Sequence, residues 1–93
     1  MARPAPKFST FGQRRELIER VAKILERERE ADLAQVVRLT MPPRVEGDRL
    51  ILRYGNRRQG WAADAQSNAG LIEACLREVG AGPVFVAVEL ADV

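Results

Sequence analysis

Two arginines beside a tryptophan are the residues of this chain best suited to holding another molecule. Arg57 and Arg58 lie in the segment Gly55-Asn56-Arg57-Arg58-Gln59-Gly60, directly before Trp61. The segment reads as a polar loop between a strand and a helix. A helix N-terminus presents free amides and partial positive charge, which attract anions. Cations are unfavourable at that end of the dipole, so an external anion such as a phosphate would explain them. Trp61 has two readings: a stacking surface for a base, or a core anchor at the head of an apolar stripe. The stripe favours the core. The loop is no P-loop, because Trp61 follows Gly60 where Lys and Ser/Thr would be needed. It also lacks the Gly-x-x-Gly spacing of nucleic-acid-binding KH loops.

A second basic group lies upstream. Arg20, Lys23 and Arg27 recur on one side of an expected helix, with Arg14 and Arg15 at its start. A basic helix can track a phosphate backbone. Interleaved glutamates make a salt-bridged, solvated face an equal alternative.

Catalytic chemistry finds little support. The chain has no histidine and one cysteine, Cys75, so no internal disulfide can form. Zinc would be left with one thiol and carboxylates, a poor ligand set. Cys75 sits in an apolar helical stretch and reads as a buried structural thiol. There is no Ser-His-Asp set, and Asp64 and Glu73 read as surface residues. A binding module rather than an enzyme is expected, with no cofactor.

The chain is 93 residues long, enough for one modest core. Its net charge of +2 hides an asymmetry. Residues 1–60 carry 14 basic and 8 acidic side chains, residues 61–93 carry 1 and 5. Such polarity suits one face to an anion and another to a basic partner, unless it is incidental surface bias. No apolar run is long enough to span a bilayer. Residues 1–9 lack the apolar stretch of a secretory signal, and Pro4 and Pro6 oppose an import helix. A cytoplasmic location without membrane contact is expected.

The elements that must position these residues follow from periodicity. Residues 1–12 are expected to form a flexible N-terminal arm, in which Phe8 and Phe11 can anchor on the core or on a partner. Residues 13–93 form a single α+β domain. A first helix is expected over Gln13–Glu30, with Leu17, Ile18, Val21, Ile24 and Leu25 on one face. Glu16–Arg20 and Glu19–Lys23 are expected i, i+4 pairs. Asp32 is expected to cap a shorter helix that buries Leu33, Val36 and Val37, and Met41-Pro42-Pro43 stops it.

A hairpin turns at Glu46-Gly47-Asp48. Its first strand is short, around Arg44 and Val45. Its second, Arg49–Tyr54, puts Leu50, Leu52 and Tyr54 on one face and Ile51 and Arg53 on the other. A third helix runs from Trp61 to Val79 with Ala65, Ala69, Ile72 and Leu76 on its stripe, and Gly70 marks a kink or close contact. Gly80-Ala81-Gly82-Pro83 ends it. The last strand, Val84–Leu90, follows a crossover helix and so can pair in parallel. A three-stranded sheet with helices on one face accommodates the order α-α-β-β-α-β.

The stretch Leu39-Thr40-Met41-Pro42-Pro43-Arg44-Val45-Glu46-Gly47-Asp48-Arg49-Leu50-Ile51-Leu52, followed by Trp61-Ala62-Ala63-Asp64 and the helix LIEACLREVG, resembles the DciA family of bacterial replicative-helicase operators. The family's pattern is a Thr-x-Pro, a short spacer, a Gly-x-Leu strand start, then a Trp opening a helix that ends in Gly. It covers about residues 36–90. The Trp and Val-Val-Gly that usually precede the Thr-x-Pro are missing, and Val36-Val37-Arg38 stand there. The element order is also similar to two other KH-like modules, the C-terminal domain of the replicative polymerase τ subunit and the N-terminal domain of the initiator DnaA.

The DciA resemblance implies a KH-like fold and a nucleoid-associated role: binding single- or double-stranded DNA and assisting loading of the replicative helicase DnaB. Arg57 and Arg58, with Arg53 and the basic-helix residues Arg14, Arg15, Arg20, Lys23 and Arg27, would contact DNA. Phe8 and Phe11 of the arm, or Glu73 and Glu78 of the third helix, would contact the helicase. The τ and DnaA likeness implies a protein-interaction module without DNA binding. A homodimer through an exposed final strand is a further partner reading.

Overall fold

A computed structural model describes residues 11–81 and 84–91. Phe8 and most of the expected arm lie outside the described residues. Phe11 and Gly12 are described by their backbone alone, which is already helical.

Helix α1 spans Phe11–Arg27, beginning two residues before the expected start and ending three before the expected end. Leu17, Ile18, Val21, Ala22 and Leu25 are buried and Ile24 half-buried, as the helical period requires. The helix ends where Arg29 turns to φ 63°. Its amide donates to the Glu26 carbonyl at 3.1 Å, and the Glu30 amide to Leu25 at 2.7 Å. This pair of bonds satisfies the last carbonyls of a helix and is usually built on glycine.

The chain enters helix α2, Ala31–Arg38, at once. Glu30 occupies the N-cap position without a side-chain cap, so the expected cap at Asp32 is corrected. Asp32 lies inside the first turn, where its charge still favours the helix dipole. Leu33, Ala34, Val36 and Val37 are buried against α1.

Strand β1 spans Met41–Glu46, longer than expected. Met41-Pro42-Pro43 ends the helical region and also enters the sheet. Met41 pairs with Arg53 and Arg44 with Ile51, so β1 carries one extra residue between them. Proline is tolerated in a sheet at such a bulge and on an edge strand, and β1 has both properties. Gly47, at φ +61°, and Asp48 form a two-residue turn between the paired Glu46 and Arg49. Glycine in the first position suits a tight hairpin.

Strand β2, Arg49–Gly55, is central. Leu50, Leu52 and Tyr54 face the core as expected. The Tyr54 hydroxyl donates to the Val36 carbonyl at 2.8 Å. Ile51 is buried too, though it lies outside the main core cluster. It sits mid-strand between Arg44 and Ala87, whose strands flank it.

The expected single helix from Trp61 to Val79 is two. A 3-10 turn over Asn56–Arg58 leads into α3, Gln59–Ser67, and α4 follows at Ala69–Glu78. The interruption falls at Asn68, two residues before Gly70. The Asn68 side-chain amide donates to the Asp64 carbonyl at 2.8 Å. Asparagine competes in this way with the helical ladder. Gly80 ends α4 at φ +82°, with its amide on Arg77 and that of Ala81 on Leu76, the expected glycine stop.

Strand β3, Phe85–Ala91, returns parallel to β2. The sheet order β1-β2-β3 is therefore mixed, with helices on one face, and with α3 and α4 taken as one interrupted helix the elements follow the expected α+β order α-α-β-β-α-β. No helix among the described residues is long and apolar enough to cross a membrane.

Candidate nucleic-acid interface

The segment after β2 builds the first feature. Gly55 ends the strand in an extended conformation, and Asn56–Arg58 coil into the 3-10 turn. Arg58 is the N-cap residue of α3, with no side-chain cap and no acid in the first turn. The sequence stretch expected as a loop is thus a helix entrance, and Trp61 is the third residue of α3 rather than its first.

Leu39, Met41, Tyr54, Gly55, Asn56, Arg57, Arg58 and Trp61 line a cleft of about 430 Å³. No acidic side chain among the described residues lines it. The Arg58 guanidinium carbon lies 4.1 Å from the centroid of the Trp61 ring, within cation–π range. Trp61 is half-buried and packed on the core edge. Its two readings therefore coincide in part: one portion of the ring anchors α3, another borders the cleft. Arg57 and Arg58 are exposed, and neither forms an ion pair with an acid among the described residues.

The other expected DNA-contacting residues do not join this cleft. At about 100° per residue, Arg20 and Arg27 lie roughly 120–140° around α1 from Arg14. Arg14 faces the sheet side, lining a hollow with Arg44 and Arg53. Arg20 lines another hollow with Glu16, Val79 and Ala81, at the end of α4. Arg15 and Lys23 are exposed on α1.

Internal pairing takes up several charges. Arg27 reaches Glu78 at 2.7 Å and Glu28 at 3.1 Å. The Glu78 carboxylate raises the Arg27 pKa further. A residue expected to touch DNA and one expected to touch a partner therefore hold each other. Arg53 Nε lies 2.9 Å from Glu89. Glu19 meets Arg38 at 2.9 Å, and Glu26 meets Arg38 at 2.8 Å; no salt bridge joins Glu19 to its expected partner Lys23 among the described residues. The Arg38 guanidinium lowers the pKa of both carboxyls. No ion pair joins Glu16 to Arg20 among the described residues. Two of these pairs, Arg27–Glu78 and Arg53–Glu89, join the basic first part of the chain to the acidic last part.

Glu73 has a structural task. The Phe85 amide points to β2, donating to the Asp48 carbonyl at 2.9 Å, so by alternation the Val86 amide points to the open edge. There Glu73 Oε2 accepts it at 2.8 Å. Phe85 and Leu90 are 57% and 45% exposed along this edge strand.

Cys75 is buried, and desolvation pushes its thiol up. Among the described residues, no group of three His, Cys, Asp or Glu side chains is placed to hold a metal ion. The sequence reading missed Arg44, since its place in the hollow with Arg14 and Arg53 depends on neighbours in α1 and β2. Compared with family models, curated proteins and solved structures, the chain matches none of them.

Proposed function

We propose that this protein is a DNA-binding accessory factor of bacterial replication, of the DciA type, which contacts the replicative helicase DnaB and assists its loading. It acts by binding, without catalysis, in the cytoplasm at the nucleoid. One observation carries the reading: Arg57, Arg58 and Trp61 border one cleft at a helix entrance, lined by no acid among the described residues. Cations beside an aromatic edge suit the phosphate and base of a single strand. The contact surface for DNA is narrower than the sequence suggested, centred on this cleft, because Arg27 and Arg53 are engaged by Glu78 and Glu89.

The exposed Phe85 and Leu90 on edge strand β3 favour a second reading, a protein-interaction module like the τ C-terminal domain. Exposed strand edges are ready contacts for another chain.

Fluorescence anisotropy of labelled single- and double-stranded DNA separates the two, measured at low and moderate salt with and without the helicase. Arg57→Glu combined with Arg58→Glu is expected to weaken single-strand binding at least about tenfold and to flatten its salt slope by about 1.4, for two phosphate contacts. The fold is expected to persist, since an acid near the α3 N-terminus suits its dipole. Equal binding by parent and double variant at every salt concentration removes the cleft as the site. No DNA binding by the parent under any condition leaves the protein-only reading.

A further inference from the structure

The cleft beside Arg57 and Arg58 carries two chemistries in its walls. Leu39, Met41 and Trp61 bring apolar surface, and the two arginines bring charge. Leu39, the residue that ends α2, is 39% exposed although it is large and apolar. Met41 and Trp61 are half-buried. A ligand that is only apolar would take guanidiniums out of water without a partner, which is costly. A ligand that is only an anion would leave the apolar wall wet. Together the walls suit a molecule that joins a ring to an anion.

Arg58 decides how the ring is met. Its guanidinium carbon lies 4.1 Å from the centroid of the Trp61 ring, over one face. No acid among the described residues pairs with it. At this wall the cleft therefore offers a guanidinium backed by an indole. A guanidinium is planar, and its N–H donors lie in its own plane. Its face is left for stacking, and unstacked bases of single strands stack on arginine planes in this way. The indole holds the plane beforehand, so less side-chain freedom is lost when a base settles on it.

Size sets how many bases enter. Small-molecule sites run from about 300 to 1,000 Å³. The cleft, at about 430 Å³, lies near the lower end. That is room for one nucleotide rather than a stacked run. A base paired in a duplex presents only its edge to a groove, and its faces are covered by its neighbours.

We propose that the cleft is a one-nucleotide site: an unstacked base lies on the Arg58 guanidinium, backed by Trp61, and Arg57 holds the adjoining phosphate. The site rests on the nucleic-acid reading above and deepens it. The base, as well as the charge, is recognised, and the ligand is a nucleotide of a single strand.

Anisotropy tests this with two labelled oligomers of equal length and charge, an oligothymidylate and its abasic counterpart. Each is titrated with the parent and with Arg58→Lys across a salt series. Lysine keeps the charge and loses the plane. Arg58 is exposed, so the fold is expected to persist, and circular dichroism checks it. The parent is expected to bind the oligothymidylate about five- to twentyfold more tightly than the abasic oligomer, from one stacked base. Arg58→Lys is expected to lose most of that ratio, to bind the abasic oligomer as the parent does, and to keep the parent's salt slope. Equal binding of both oligomers by the parent overturns base recognition and leaves the charged cleft standing. An unchanged ratio in Arg58→Lys overturns the role of Arg58 as the platform. Free thymidine monophosphate at micromolar concentration is expected to leave the strand bound, and displacement there overturns the strand as the source of the nucleotide. A parent that binds neither oligomer overturns the nucleic-acid reading, and this site with it.

Discussion

The Thr40 hydroxyl accepts the Arg53 amide at 3.0 Å and lies 3.1 Å from the Arg53 carbonyl oxygen. A side chain thus serves both backbone groups of a central-strand residue. The reason lies in β1, whose bulge and prolines withdraw the usual partners. The hydroxyl has one proton, shared between the Arg53 carbonyl and the Met41 carbonyl at 2.9 Å. Thr40 is the only polar or charged residue in the buried set among the described residues. In the Thr-x-Pro of the sequence, the proline removes a donor and the threonine replaces one.

Thr40→Val is therefore expected to cost about 1–3 kcal/mol, because it leaves the Arg53 amide unsatisfied. At about 4–8 °C per kcal/mol for a domain of this size, calorimetry will show a clear drop in Tm. Thr40→Ser, which keeps the oxygen, is expected to recover most of it. A valine variant as stable as the parent would refute this account of the motif.

Tyr54, the single tyrosine of the chain, is 1% exposed and donates to Val36. Burial disfavours the phenolate and raises its pKa. A group whose folded pKa lies above its unfolded value contributes stability in full below the unfolded pKa, about 10 for tyrosine, and loses it as pH rises beyond. Absorbance at the phenolate band is expected to show no ionisation near pH 10, then ionisation together with unfolding at higher pH. Simple titration near pH 10 with the fold intact would contradict it.

Arg29 holds a left-handed conformation at φ 63°, which costs a non-glycine residue about 1–2 kcal/mol. Arg29→Gly relieves this, partly offset by glycine's larger loss of chain entropy. A net gain of about 0.5–1 kcal/mol is expected in urea unfolding. The arginine is exposed and forms no ion pair among the described residues, so little else changes.

The Glu73 carboxylate occupies the outward amide of Val86 on edge strand β3. Glu73→Ala is expected to lower stability by about 1.5–3 kcal/mol, the range of a hydrogen bond to a charged group. It also frees a strand edge that already exposes Phe85. Sedimentation velocity over a concentration series should show more self-association than the parent, and Glu73→Gln should fall between. Identical sedimentation of all three would argue against an edge-guarding role.

The sequence by itself determined the order of elements and their inward faces. Leu17, Ile18, Val21 and Leu25 repeat at the helical period, Leu50, Leu52 and Tyr54 at the strand period, and both stripes are buried. These are local properties, set by backbone geometry within one element. The glycine stop at Gly80 and the turn at Gly47 were legible for the same reason, since a left-handed φ favours glycine; Arg29, which holds such a φ without being glycine, carried no such signal. The break at Asn68 was local as well, yet the apolar stripe ran through it and masked it.

Only the tertiary structure decided which charges stay available. Arg27 and Glu78 are 51 positions apart, and Arg53 and Glu89 are 36 apart. The parallel return of β3 sets Glu89 opposite Arg53. Composition counts charges, but the Coulomb term depends on separation, and separation is fixed by packing of elements distant in sequence. The same packing gathers Arg14, Arg44 and Arg53 into one hollow while leaving Arg57 and Arg58 beside Trp61.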